Sequence, residues 1–286
     1  MSARVALDAM RQALQAGENE KIDPNTVIPA PLITWPSTIS EVDERCGGFY
    51  GLVTLGAQRG TGKTLLAVGS SLEATARFQV CYFAAEDDAD GLAVRYNNYV
   101  NAHKDVIPNL DDWHLFQTSR GQTPQSLTAE IEGAVDPDSP KPILTVIDSV
   151  NSLVEMSDFG YFDGLSAFGL WAMLARRISR GNAAFCLVSE TNKANSIRGE
   201  KLPYWSDQVL VMTRGDGADI VELDLQKSRR SGGTGELGKF VRIWNQGEFM
   251  SQDELESLRR EAFRVVKGGK PARMTPVDVA VNAELF

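Results

Sequence analysis

Ala57-Gln58-Arg59-Gly60-Thr61-Gly62-Lys63-Thr64 is the stretch whose reading decides the fold. It lies between an apolar run, Leu52 to Leu55, and a segment from about Lys63 with helical character, so the expected succession is strand, glycine-rich turn, helix. Gly60 and Gly62 let the backbone turn tightly with its amide N–H groups pointing inward. The N-terminus of the following helix adds positive potential, and together they make a nest for phosphate. In such a loop the residues from Ala57 through Gln58, Arg59, Gly60, Thr61, Gly62, Lys63 and Thr64 to Leu65 surround the nucleotide. Lys63 bridges the β- and γ-phosphates and the Thr64 hydroxyl binds Mg²⁺, so ATP and Mg²⁺ are the expected ligands. The first position of the strict motif is Ala57 rather than glycine, with Gly56 one residue earlier; alanine is small enough to keep the loop's shape.

Outward from this loop, a nucleotide hydrolase needs a carboxylate at the end of a neighbouring buried strand to hold the metal. Ile143-Leu144-Thr145-Val146-Ile147-Asp148 is apolar until its last residue, which places Asp148 at the C-terminal edge of the sheet as the second metal residue with Thr64. Glu86 closes another strand, Val80 to Ala85, at the equivalent edge, where it polarises the attacking water as catalytic base. Its neighbours Asp87, Asp88 and Asp90 read as helix-start residues favoured by the helix dipole.

The whole chain has 286 residues, 43% of them hydrophobic, which suffices for one large α/β core with short appendages. No apolar stretch reaches the ~18 residues of a membrane span and the start lacks a signal pattern, so a cytoplasmic protein without membrane contact is expected. A net charge of -9 restricts any nucleic-acid contact to a local patch. The three cysteines lack a C-x-x-C spacing and there are only two histidines, which argues against disulfide scaffolds and zinc sites.

Strand-like runs at Leu52 to Leu55, Val80 to Ala84, His114 to Gln117, Ile143 to Ile147 and Ala184 to Ser189 alternate with helical segments, the pattern of parallel β-α units. Val209 to Met212, Ile220 to Leu225 and Phe240 to Trp244 are separated by short glycine-rich turns, so the sheet is expected to finish with antiparallel strands. Before the core, residues 1–36 read as an amphipathic helix, with Leu7, Met10 and Leu14 on one face, followed by a proline-rich linker. The core spans 37–250, and 251–286 is a helix with a tail offering a site for a protein partner.

Cys46-Gly47-Gly48-Phe49-Tyr50-Gly51, the phosphate loop, Tyr82-Phe83-Ala84-Ala85-Glu86 and Ile147-Asp148-Ser149 together resemble the RecA-fold P-loop ATPases of the RecA, RadA, KaiC and DnaB-helicase group. The resemblance covers most of residues 45 to 250. It implies a mostly parallel central sheet flanked by helices, and gives the base role to Glu86. Gln226-Lys227-Ser228-Arg229 is similar to the Lys-x-Arg segment of these proteins. Carried over, Lys227 and Arg229 reach the γ-phosphate bound by the neighbouring subunit, so the working form is a homo-oligomer, a hexameric ring or a filament. Glu190 occupies the position where the relatives carry a γ-phosphate sensor, a glutamine or a histidine. An ionised carboxylate cannot donate to phosphate, which leaves Glu190 to act through water or the magnesium, or as the base itself.

The resemblance implies two loops that line the central channel or filament axis. The one carrying Lys193, Asn195, Arg198 and Lys201 suits a phosphate backbone tracked without base reading, hence single-stranded DNA. The other, Met156 to Gly164, holds three aromatics among acids and glycines. The N-terminal helix is expected to act as a tether onto the next subunit, with fold-back on its own domain as the alternative. Function then divides between a DNA-dependent motor or recombination ATPase and a KaiC-like regulatory switch without DNA.

Overall fold

The computed structural model describes residues 2–15, 33–87, 89–105, 109–118, 122–155, 161–198, 201–217, 219–230 and 233–267. Its N-terminal part contains α1 (Ala3–Gln15), β1 (Thr34–Trp35), α2 (Ser40–Cys46) and β2 (Phe49–Tyr50). The alternating region runs β3 (Leu52–Ala57), α3 (Lys63–Ala74), β4 (Gln79–Ala84), α4 (Ala89–Ala102), β5 (Trp113–Gln117) and α5 (Pro124–Ala134). It continues through β6 (Ile143–Asp148), α6 (Val150–Glu155), α7 (Tyr161–Ile178), β7 (Ala183–Glu190) and α8 (Lys201–Trp205). The chain closes with β8 (Gln208–Arg214), β9 (Ile220–Ser228), β10 (Gly235–Ile243), β11 (Glu248–Ser251) and α9 (Gln252–Lys267).

Nine strands form one sheet in the order β11-β10-β9-β8-β3-β7-β6-β4-β5. From β8 to β5 the pairing is parallel, and β8, β9, β10 and β11 continue as an antiparallel meander. β3, β4 and β6 are buried along their whole length, because helices cover both faces, and this is why they read as unbroken apolar runs. One face packs Leu65, Val68 and Leu72 of α3 with Tyr99 of α4. The other packs Leu127 and Ile131 of α5, Phe168 and Trp171 of α7 and Leu202 of α8. No helix of the described residues is long and apolar enough to cross a membrane.

Two N-terminal expectations are corrected. α1 does not stand off as a tether: Ala3, Ala6, Leu7, Met10 and Ala13 are buried in the second cluster, and the helix lies along α7 and α5 of its own chain. Arg4 pairs with Asp138 and Arg11 with Glu132, fixing its register on that surface. The apolar stripe was legible, but an amphipathic helix docks on whichever apolar groove is offered, and here its own domain offers one. Nor is the last part of the proline-rich segment a linker. Thr34 and Trp35 pair with Tyr50 and Phe49, and Trp35 is buried edge-on against Phe49 and Phe78. A ring of that size buried on the sheet outweighs the extended bias of the prolines around it. The remaining linker residues, 16–32, and the tail, 268–286, lie outside the described residues, as do 156–160 of the aromatic loop.

Candidate nucleotide site and its surroundings

Strand register gathers the functional side chains at one edge. Ala57 lies opposite Glu190, Asp148 opposite Val188, and Ala84 opposite Asp148, so the ends of β3, β7, β6 and β4 are level. This is the C-terminal edge, where open α/β sheets bind ligands. From it the chain turns through Gln58 to Gly62 and enters α3 at Lys63. Gly62 has φ +110°, a conformation that side-chain-bearing residues rarely adopt, and a Cβ there would lie 2.8 Å from Phe249 Cζ. Lys63 is buried, and its ammonium donates to the Gln58 carbonyl at 3.4 Å, folded back over the loop it serves.

Asp148 is buried at the end of β6. Its Oδ2 accepts from Tyr82 Oη at 2.6 Å, and the Thr64 hydroxyl lies beside the carboxylate. Burial pushes its carboxyl up to about 6, against the lowering effect of the two hydroxyls. Its other oxygen, Oδ1, is buried with no hydrogen-bond partner, as are Glu86 Oε2 and Thr61 Oγ1. Unsatisfied buried acceptors of this kind fit a cation. Among the described residues no group of three or more His, Cys, Asp or Glu can hold a metal alone. The arrangement therefore suits Mg²⁺, which takes one or two protein oxygens and completes its shell from nucleotide phosphates and water. Thr64 and Asp148 are the residues that would hold it.

Glu86 is mostly buried and sits 3.8 Å from Arg59 of the loop. Its neighbour Asp87 pairs with Arg95 of α4, and Asp90 lies in that helix's first turn; Asp88 is outside the described residues. The structure thus brings Lys63, Thr64, Asp148 and Glu86 into one cluster.

Glu190 belongs to the same edge, but its carboxylate faces the loop that follows. It pairs with Arg198 at 2.9 Å, its amide donates to Asn151 Oδ1, and its carbonyl accepts from the Arg198 amide. The loop is a tight structure. Thr191 bridges Ile197, Asn192 Oδ1 accepts from Ala194 and Ser196, and Ile197 is buried over Gly56. Asn195 accepts from Gln58 Nε2 at 3.3 Å, which joins the loop directly to the phosphate loop. Lys193 and Lys201 are exposed, and residues 199–200 lie outside the described residues.

Lys227 and Arg229 are elsewhere. Ser228 lies opposite Gln208 at the start of β8, and Arg229 donates its amide to the Asp207 carbonyl, so both cations stand at the N-terminal edge of the parallel strands. The six residues of β3, at roughly 3.3 Å each, separate them from their own phosphate loop by about 20 Å.

Three residues of the last hairpins were missed by sequence reasoning. Arg242 Nη1 donates to the Gly60 carbonyl at 2.6 Å, Arg214 Nη2 donates to the Arg59 carbonyl at 2.8 Å, and Phe249 packs on Gly62. Arg242 also bonds Asp219 and lies 4.7 Å over the Trp244 ring, which is itself half exposed. One signal existed: an arginine inside the apolar run Phe240-Val241-Arg242-Ile243 is a charge committed to burial, and such charges have a partner.

No family model matches the chain, and no curated protein matches it in sequence. Solved structures do. A solved ATPase domain matches with a TM-score of 0.61 at 15% identity, over 86% of this chain and 97% of that one. A DnaB-like replicative helicase, solved in a study of its interactions with primase, matches at 0.60 and 15% identity, over 86% of this chain and 71% of that one. A KaiC-like protein from the archaeon Pyrococcus horikoshii OT3 matches at 0.57 and 16% identity, over 77% of this chain and all of that one. The fold is that of the RecA-like P-loop ATPases, with a mostly parallel sheet flanked by helices and an antiparallel end.

Proposed function

We propose that the protein is an oligomeric ATPase whose sites are completed by a neighbouring subunit and whose hydrolysis is coupled to single-stranded DNA, in the manner of a helicase motor or recombination ATPase. The observation that carries this reading is the position of Lys227 and Arg229, a full strand length from their own phosphate loop. A γ-phosphate within reach of these cations is one held by another copy. A closed ring, hexameric by the helicase likeness, or a filament supplies that arrangement.

Within the site, Lys63 and the amides of residues 58–64 bind and orient the phosphates of ATP. Thr64 and Asp148 would hold Mg²⁺, which when bound would neutralise charge spreading over the transferring phosphoryl group. Glu86 orients the attacking water and accepts its proton; Arg59, close to that carboxylate, helps fix it. Lys227 and Arg229 of the adjoining subunit neutralise charge on the γ-phosphate side. Lys193, Asn195 and Lys201 follow a nucleic-acid backbone, while Arg198 and Glu190 link that loop to the end of β7.

The test is steady-state ATP hydrolysis over a range of protein concentrations, with and without single-stranded DNA, using Lys63→Ala as blank. Turnover that rises with both supports the reading. Hydrolysis that depends steeply on protein concentration but ignores DNA rejects the DNA coupling and points to a self-assembling switch.

A further inference from the structure

Lys227 and Arg229 are not loose at the end of β9. Lys227 Nζ donates to the carbonyls of Pro203 at 2.6 Å and Tyr204 at 2.9 Å, and Arg229 Nη2 donates to that of Tyr204 at 2.7 Å. All three bonds end on the last turn of α8, where unpaired helix carbonyls present negative potential that suits cations. Two like charges thereby share one set of acceptors, close together, each keeping further N–H groups for other oxygens.

α8 is the next helix in the sequence after the loop of Lys193 and Arg198, and it is firmly seated from behind. Leu202 is buried, and Ser206, just past the helix, bonds both the Leu202 carbonyl and Thr54 of β3. Gly169, in the middle of α7, gives α8 its closeness: a Cβ there would lie 2.7 Å from both Leu202 Cδ2 and Trp205 Cε3. On the outward side Tyr204 is 73% exposed beside the two cations. The loop is anchored to Glu190 at its start, and α8 begins at Lys201, three positions after Arg198 in the sequence.

We infer that α8 is a splint that positions the Lys227 and Arg229 side chains, so that the seat of α8 in one subunit sets how well the next subunit's γ-phosphate is met. Pro203 and Tyr204 act here as positioning residues through their carbonyls, with Gly169 and Leu202 holding them in place. This rests on the proposed role of Lys227 and Arg229 toward a neighbouring site. It adds that the two cations are held by the helix that follows the DNA loop in the sequence, which gives DNA a short route to turnover.

The test compares Gly169→Ala, which pushes α8 outward, and Leu202→Ala, which loosens it, with Arg229→Ala, all as full-length oligomers. Kinetics are measured with ATP, with and without single-stranded DNA. A misplacement of about 1 Å can cost on the order of 100-fold in rate, so Gly169→Ala and Leu202→Ala are each expected to lose at least about tenfold in kcat. Its KM for ATP should stay within about twofold of the parent, because the phosphate loop is untouched. DNA should still bind these variants but no longer raise their turnover, a loss that a mere packing defect would not produce. If Gly169→Ala fails to fold, Leu202→Ala decides alone. Parental kcat and DNA stimulation in α8 variants, with Arg229→Ala inactive, would overturn the splint and leave the trans role standing. Normal turnover in oligomeric Arg229→Ala would remove the trans role and the splint with it.

Discussion

Arg242 holds the phosphate loop from behind by donating to the carbonyl of Gly60 at 2.6 Å. The bond matters because carbonyls on the outer side of the turn must point away from the nest if its amides are to point in. Arg242 is almost fully buried and is bonded to Asp219 as well, so it ties the loop to the start of β9. Arg242→Gln should weaken ATP binding about tenfold by loosening the loop, and cost about 2 kcal/mol in stability through the hydrogen bonds lost to Gly60 and Asp219. Isothermal titration with a non-hydrolysable ATP analogue, alongside denaturant unfolding, checks both. Unchanged affinity would mean the loop keeps its shape without this contact.

Trp244, under the Arg242 guanidinium and half exposed near the loop, should report nucleotide binding. The expected outcome is a change in tryptophan emission on adding ATP analogue that is lost in Trp244→Phe and in Lys63→Ala. A response that survives Trp244→Phe would place the reporter at another tryptophan.

Replacing Lys193, Arg198 and Lys201 together should lower affinity for single-stranded DNA and flatten its salt dependence. Each phosphate contact contributes about -0.7 to the slope of log affinity against log salt for single strands. Arg198 is already committed to Glu190, so the slope should fall by the share of about two contacts rather than three. Arg198→Ala alone should disturb hydrolysis more than DNA binding. A triple variant with the parental slope would remove the loop from the nucleic-acid surface.

A pH response is built between α4 and the last hairpin. His103 Nε2 lies 3.1 Å from Glu248, and pairing with that carboxylate raises the imidazole's pKa despite partial burial. Tyr99 stacks on His103 and bonds Glu73, and the Gln246 backbone also contacts the imidazole. A histidine whose folded pKa exceeds its unfolded value of about 6.5 adds stability that is full below that value and is lost as pH rises through the folded pKa. Glu73, raised by burial, acts with the same sign at lower pH. The melting temperature should therefore fall as pH rises above the ordinary histidine value of about 6.5, and that of His103→Gln should fall less. Parallel curves for the two proteins would contradict the pairing.

The sequence made some of this visible and hid the rest for identifiable reasons. The phosphate loop, the apolar strand ending in Asp148 and the strand before Glu86 are local patterns, and local patterns survive without knowledge of the fold. The α1 stripe of Leu7 and Met10 was equally plain, yet the groove that receives it, on α7 and α5, is assembled from residues more than a hundred positions away. Arg242 and Arg214 reach the phosphate loop from strands about 155 to 180 positions downstream, with no fixed spacing to mark them. α8 is five residues long with a proline inside it, too short for any periodicity, and its bonds to Lys227 and Arg229 depend on where β9 ends.

The central claim is that each active site is shared between subunits, and mixing two inactive variants tests it most directly. Lys63→Ala lacks a working phosphate loop but keeps Lys227 and Arg229; Arg229→Ala should bind ATP normally and lose on the order of 1000-fold in turnover. Combined in one oligomer, an Arg229→Ala subunit can hold ATP against the intact cations of a Lys63→Ala neighbour. The account predicts that the co-assembled mixture regains a substantial part of parental turnover. A mixture that demonstrably co-assembles yet stays as inactive as its two components would contradict it.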